Sequence, residues 1–319
     1  MYPTLWESPG GVGLHTYGLM MTLAFVAAFG LVFRLSRRVG FAPEQLMPVF
    51  GAAAVGGLFG ARLLYALAVE PMETFNNPAS LLAFRGLAFY GGVLGGTAGV
   101  LAVGRAQGLR LWDLVDVLAP ALVLGLGIGR LGCFFAGCCH GAPILGDPGA
   151  ALLPDGLLHG QIHLRGAFPY FSLVFDDGVG RLLHQALYPT QLWSVFAAIG
   201  VAGLLTGLWR KRRFAGQIFG TMLVIEPVFR VAIESFRADE RGAWFTVPVG
   251  PELAGWLPGL GSAGDRLAAP EIAVTTSQGI GFAMMATGLL VLWLRRGAGV
   301  EAPAGGAGQS EEEEDLTGF

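Results

Sequence analysis

Seven apolar runs dominate this sequence. Windows of roughly 20 mostly apolar residues are the length an α-helix needs to cross the hydrocarbon core of a bilayer. They predict spans near 16–35, 46–68, 87–104, 115–135, 189–208, 215–235 and 277–294. Inside lipid every peptide group must be satisfied within its own segment. The expected fold class is therefore an all-α integral membrane protein of about seven transmembrane helices. The charge content agrees: 13% of the 319 residues are charged, against about a quarter in soluble domains. Two connections, about 137–187 and 237–276, are rich in Gly, Pro and Asp and are expected as long extracytoplasmic loops with short surface elements. From Gly297 onward Gly, Ala and Glu prevail. Residues 1–296 thus read as one membrane domain and 297–319 as a disordered acidic tail. Residues 1–13 lack the basic stretch and cleavage site of a secretory signal, so no cleaved leader is expected.

Orientation follows from the basic residues. Arg34, Arg37 and Arg38 follow the first run, Arg105 and Arg110 the third, Arg210 to Arg213 the fifth, and Arg295 and Arg296 the seventh. With seven spans all these short connections fall on one side, and positive residues in short loops mark the cytoplasm. The N-terminus and both long loops are expected outside, and the C-terminal tail in the cytoplasm. No repeat of 20–50 residues and no inverted halves are visible, which argues against a transporter.

The chain has 51 glycines, and pairs four apart recur in apolar runs: Gly56 and Gly60, Gly91 and Gly95, Gly92 and Gly96, Gly125 and Gly129, Gly137 and Gly141. In lipid such pairs let helix backbones approach closely. The arginines within the runs point elsewhere. Arg62, Arg130 and Arg230 lie at membrane depth and Arg237 just past the sixth run. There an arginine costs about 3 kcal/mol or more unless it faces a partner or a polar cavity. Arg230 has Glu226 four residues before it and Glu234 four after, so an internal ion pair and a ligand contact stand about equal. Arg130 has only Asp116 on its own run, nearly four turns away. It sits in Gly127-Ile128-Gly129-Arg130-Leu131-Gly132-Cys133, where glycines clear space beside a planar, permanently charged fork suited to a phosphate. The nearest phosphate in a membrane is a phospholipid headgroup, and no nucleotide or nucleic-acid motif is present. Phe89-Tyr90-Gly91-Gly92 opens the third run, and by itself reads more readily as a packing face with an interfacial aromatic.

Taken in order, these pieces resemble the prolipoprotein diacylglyceryl transferase family over nearly the whole membrane part. Tyr17-Gly18 resembles its Tyr-Gly on the first span, and Gly60-Ala61-Arg62-Leu63 its Gly-Gly-Arg-Leu on the second. Asp116 to Pro120, leading into Gly129-Arg130-Leu131-Gly132, resembles its signature. Tyr188-Pro189-Thr190-Gln191-Leu192-Trp193 is similar to its His-Pro-Ser/Thr-Gln-Leu-Tyr. Phe229-Arg230 and Glu234-Ser235-Phe236-Arg237 resemble its Phe-Arg and Glu-Phe-Phe-Arg, and Ser277-Gln278 falls near the Gly-Gln of its last helix.

The resemblance implies an enzyme of the bacterial inner membrane. It would move the diacylglyceryl group of phosphatidylglycerol onto the lipobox cysteine thiol of pre-lipoprotein signal peptides, with no cofactor and no metal. Arg130 and Arg237 would carry the phosphate, with Tyr90 as a third catalytic group. Tyr17, Arg62, Cys133, Gly141, Gln191 and Arg230 would bind substrate. The departures are specific. Tyr90 stands where the family has histidine, Cys133 where it has asparagine, Ala136 for a second asparagine, Cys138 for glutamate, Tyr188 for a histidine and Ser194 for a glutamate. A paralogue that binds anionic phospholipid without catalysis, or uses another acceptor, is the alternative. All three cysteines fall within Cys133 to Cys139. With His140, and with His159 and His163 farther on, they allow packing or a Cys133–Cys138 bridge, a place in the catalytic site, or a metal, in that order.

Overall fold

In the computed structural model the described residues are 4–7, 13–77, 81, 88–136, 138, 139, 141, 162–165, 172–175, 186–237, 243–248 and 271–298. All seven apolar runs contain a long helix: α1 (Thr16–Ser36), α2 (Pro43–Ala68), α4 (Phe89–Ala106), α5 (Leu111–Ala136), α6 (Thr190–Leu208), α7 (Gln217–Glu234) and α8 (Thr276–Arg295). A short helix, α3 (Pro71–Asn76), follows α2. Among the described residues five helices are long and apolar enough to cross a membrane: α1, α2, α5, α8, and α6 with the 3-10 turn Trp209–Lys211 that extends it. The protein is thus a multi-pass α-helical membrane protein. The other two long helices have 18 residues each; α4 is glycine-rich and α7 carries Glu226, Arg230 and Glu234.

The described parts of the connections hold short antiparallel strands. Thr4–Glu7 (β1) pairs with Gly13–His15 (β2) ahead of α1. Ile162–Arg165 (β3), Ser172–Phe175 (β4) and Ala186–Leu187 (β5) form a three-stranded sheet in the first long connection. Ala243–Pro248 (β6) and Glu271–Thr275 (β7) pair antiparallel in the second, and β7 runs directly into α8. Thr275 caps that helix, its hydroxyl accepting from the Gln278 N–H while the Gln278 side chain accepts from the Thr275 N–H. This reciprocal pairing satisfies two otherwise orphaned donors. His140 and His159 lie outside the described residues, as does the tail from residue 299.

The described chain forms two compact units, residues 4–31 with 118–298, and residues 32–117, the boundary falling inside α1 and α5. In the second unit α2 lies against α4 along the expected glycines. A Cβ on Gly60 would stand 2.9 Å from the Gly95 Cα, and one on Gly56 2.5 Å from the Gly95 carbonyl oxygen. Backbone meets backbone there, the arrangement small residues permit in lipid. Gly125 behaves differently, since its added Cβ would find only ordinary contacts near 3.8 Å. Arg62 is buried in this unit and paired at 3.5 Å with Glu70, a partner the run-by-run reading did not supply. Arg110 donates to the Val39 carbonyl at 2.9 Å and pairs with Asp113 at 2.8 Å. It thereby ties the α4–α5 turn to the α1–α2 turn.

The other unit has a matching tie. Arg295 Nε donates to the Ala215 carbonyl at 3.2 Å, fastening the end of α8 to the α6–α7 turn. The basic turns at Arg210–Arg213 and Arg295–Arg296 therefore share one end of this unit. Gly220 and Gly288 let α7 and α8 meet closely, an added Cβ on Gly288 falling 2.8 Å from the Gly220 carbonyl.

Candidate active site

Three helix ends converge in the first unit: the C-terminus of α5, the N-terminus of α6 and the C-terminus of α7. After α5, the Cys138 N–H donates to the Cys133 carbonyl at 3.1 Å, and Cys139 takes the left-handed conformation with φ 61°. The turn is then pinned by α6. Gln191, fully buried, donates through Nε2 to the Cys138 carbonyl at 3.1 Å, and the Thr190 hydroxyl donates to the Cys139 carbonyl at 3.3 Å. Gly141 donates its N–H to the Tyr188 carbonyl at 3.0 Å and forms an isolated antiparallel bridge with Arg237. No side chain fits at this crossing. A Cβ on Gly141 would lie 2.5 Å from the Tyr188 carbonyl oxygen and 2.8 Å from that of Phe236. The rings of Tyr188, Trp193 and Phe236 pack on one another with centroids 5.3–5.9 Å apart. They lock the start of α6 to the end of α7, and with it the backbone position of Arg237.

Five charged residues of this unit face one cleft between α5, α6 and α7. It has a cavity volume of about 70 Å³ and is lined by Arg130, Ser194, Glu226, Arg230, Glu234 and Arg237 among apolar neighbours such as Val201 and Phe229. The reading of Arg130 against its own run therefore changes, because α7 brings Glu226 and Glu234 into the same cleft. On α7 Glu226, Arg230 and Glu234 recur at intervals of four residues and share a face, and Arg237 enters the same cleft three residues past the helix end. The Arg237 side chain is only 4% exposed, with its Nε 3.9 Å from Glu234. Three guanidinium groups formally outnumber two carboxylates, which leaves room for an anion. Tyr17 on α1 reaches the same end of α5, because Gly132 lets its ring lie within 3.1 Å of where a Cβ would be.

Next to the cleft, and sharing Ala197, Val201, Phe229 and Ile233 with it, runs an apolar groove between α6 and α7 of about 690 Å³. Trp193, Phe196, Leu204 and Ile225 complete its walls. An ionic cleft that continues into an apolar groove has the polarity of a phospholipid, headgroup and chains. The sequence reading missed this groove, because its residues look like ordinary span residues until α6 and α7 are paired.

All three cysteines are free thiols, so the Cys133–Cys138 bridge is absent, and their sulfurs lie within 4.8 Å of one another. The Cys139 thiol, past the end of α5, is held well below the ordinary thiol range. Its main cause is a hydrogen bond from Cys133, reinforced by Arg237 against the cost of burial. Of the other expected site residues, Arg62 and Tyr90 belong to the second unit, on α2 and α4, Tyr90 being 39% exposed.

Comparison with known proteins fits this architecture. A family model described as prolipoprotein diacylglyceryl transferase matches residues 3–294. The chain belongs to the prolipoprotein diacylglyceryl transferase family. As a member it is a transferase of lipoprotein biosynthesis. Among curated relatives named phosphatidylglycerol–prolipoprotein diacylglyceryl transferase, that of Methylococcus capsulatus is 31% identical over 255 residues, covering 78% of this chain and 84% of the relative. That of Geobacter sulfurreducens is 31% identical over 253 residues, covering 78% and 86%. That of Clostridium tetani is 28% identical over 243 residues, covering 76% and 88%. The family match runs from ahead of α1 into α8, so it takes in both units and every helix end that builds the cleft.

Proposed function

We propose that this protein transfers the diacylglyceryl group of phosphatidylglycerol to the lipobox cysteine thiol of pre-lipoprotein signal peptides. The thiolate sulfur attacks the diacylglyceryl carbon that carries the phosphate oxygen. A C–S bond forms, the C–O bond breaks, glycerol phosphate leaves, and the thiol proton passes to a base. The observation that carries this reading is the continuity of the arginine cleft with the apolar groove. Such a site holds an anionic headgroup while its chains stay in an apolar channel.

Arg130 and Arg237 would neutralise the phosphate as negative charge grows on the leaving oxygen, the kind of preorganised electrostatic help that lowers such barriers most. Arg230 and Tyr17 would hold the headgroup, and Arg62 on α2 would bind substrate. Gln191 and Gly141 would act by fixing the α5 turn and the Arg237 backbone. Cys133 would border the phosphate, and Tyr90 would supply a polar group on the second unit. We assign residues 1–296 to the transferase domain with seven spans, α4 and α7 included, and 297–319 to a cytoplasmic tail. The N-terminus would lie outside. The ties from Arg110 and Arg295 support this orientation, because each gathers two basic turns at one end of its unit. The test is maturation of a reporter lipoprotein in a strain depleted of its own transferase. Restored lipidation by the wild type, lost in Arg130→Lys, is the expected result. No lipidation by a well-expressed wild type would favour the non-catalytic phospholipid-binding paralogue.

A further inference from the structure

The chain's three cysteines fall within seven consecutive positions, and the fold brings their sulfurs within 4.8 Å of one another. We infer that Cys133, Cys138 and Cys139 form a three-thiolate site for a soft, thiol-seeking monovalent cation, Cu(I).

Convergence alone would be weak, but this turn is built to hold its shape. The Cys138 N–H closes on the Cys133 carbonyl, and Gln191 and Thr190 fix the carbonyls of Cys138 and Cys139. Cys139 keeps a positive φ of 61°, a conformation that costs a non-glycine residue energy and persists where its surroundings enforce it. The donors are all sulfur. Thiolates select soft ions such as Cu(I) over Mg(II), Ca(II) and Mn(II), which prefer oxygen. Cys133 and Cys139 are half-buried while Cys138 is exposed, which leaves one sulfur open for an ion to enter.

The test uses the full-length chain, purified in detergent, reduced and kept free of oxygen. Cu(I) is titrated against a chromophoric bathocuproine chelator, and X-ray absorption counts the sulfur neighbours of the loaded wild type. One Cu(I) per chain with three sulfur neighbours is expected. Cys133→Ser, Cys138→Ser and Cys139→Ser should each weaken binding by at least about tenfold, since even outer-shell changes cost that much at metal sites. Helix content by circular dichroism checks that each variant is folded. If a variant fails that check, the sulfur count on the wild type decides. No copper withdrawn from the chelator, two sulfur neighbours, or a folded Cys138→Ser that binds like wild type would each overturn the assignment. None of these readouts depends on lipid transfer.

Discussion

Gly141→Ala offers the sharpest test of how Arg237 is held. The new methyl carbon would stand 2.5 Å from the Tyr188 carbonyl oxygen, 2.6 Å from its Cβ and 2.8 Å from the Phe236 carbonyl oxygen. Two of these are backbone atoms and the third is the root of a ring packed between Trp193 and Phe236. None swings aside as a flexible side-chain tip would. Reaching an ordinary contact of 3.4 Å therefore requires Gly141 to move about 0.9 Å from the Tyr188 carbonyl and about 0.6 Å from that of Phe236, which opens the Gly141–Arg237 bridge. A misplacement near 1 Å can cost a factor of about 100 in rate. We expect kcat for diacylglyceryl transfer to fall by about that factor, measured with phosphatidylglycerol and a lipobox peptide in detergent micelles. Gly203→Ala is the control, because nothing lies within 4 Å of the added carbon, and it should stay within twofold of wild type. Gly141→Ala at wild-type turnover would show that the bridge does not position Arg237.

The arginines give a graded series: Arg130→Lys should lose most activity although the charge stays, because two-point phosphate recognition needs the planar fork. Arg237→Ala should do likewise, while Arg212→Ala, which loses a stacking contact with Trp209 at 5.2 Å, should be tolerated in the same assay. Tyr90→His combined with Cys133→Asn should retain or raise transfer, whereas Tyr90→Phe should lower it; a silent Tyr90→Phe would reduce the tyrosine to packing. Cys139 should be alkylated by iodoacetamide almost as fast at pH 6 as at pH 8. A thiol held below its ordinary range loses its thiolate only when the pH falls through that lowered value, while an ordinary thiol near 8.5 slows about tenfold per unit; tenfold slowing of Cys139 on this scale would refute its thiolate state. Finally, a periplasm-active reporter fused after Ala307 should give no signal, and a strong signal would overturn the seven-span orientation.

Much of this protein was legible along the chain. In a bilayer, backbone hydrogen bonding is local, so a run of about 20 apolar residues specifies a helix without reference to its neighbours. The expense of a charge in lipid likewise singled out Arg62, Arg130, Arg230 and Arg237. What remained hidden depends on pairs of segments far apart in sequence. Glu70 as the partner of Arg62, the α6–α7 groove, and the entry of Glu226 and Glu234 beside Arg130 arise only when helices pack. The roles of Gly141 and Gln191 belong to the same class. Both are expected as substrate contacts from the family resemblance, and only the fold adds that each also holds the turn that carries Cys138, Cys139 and Arg237. Hydropathy is a property of a segment and is written into it, whereas the direction a side chain faces across a helix interface is set by the partner helix, and only the tertiary structure decides that.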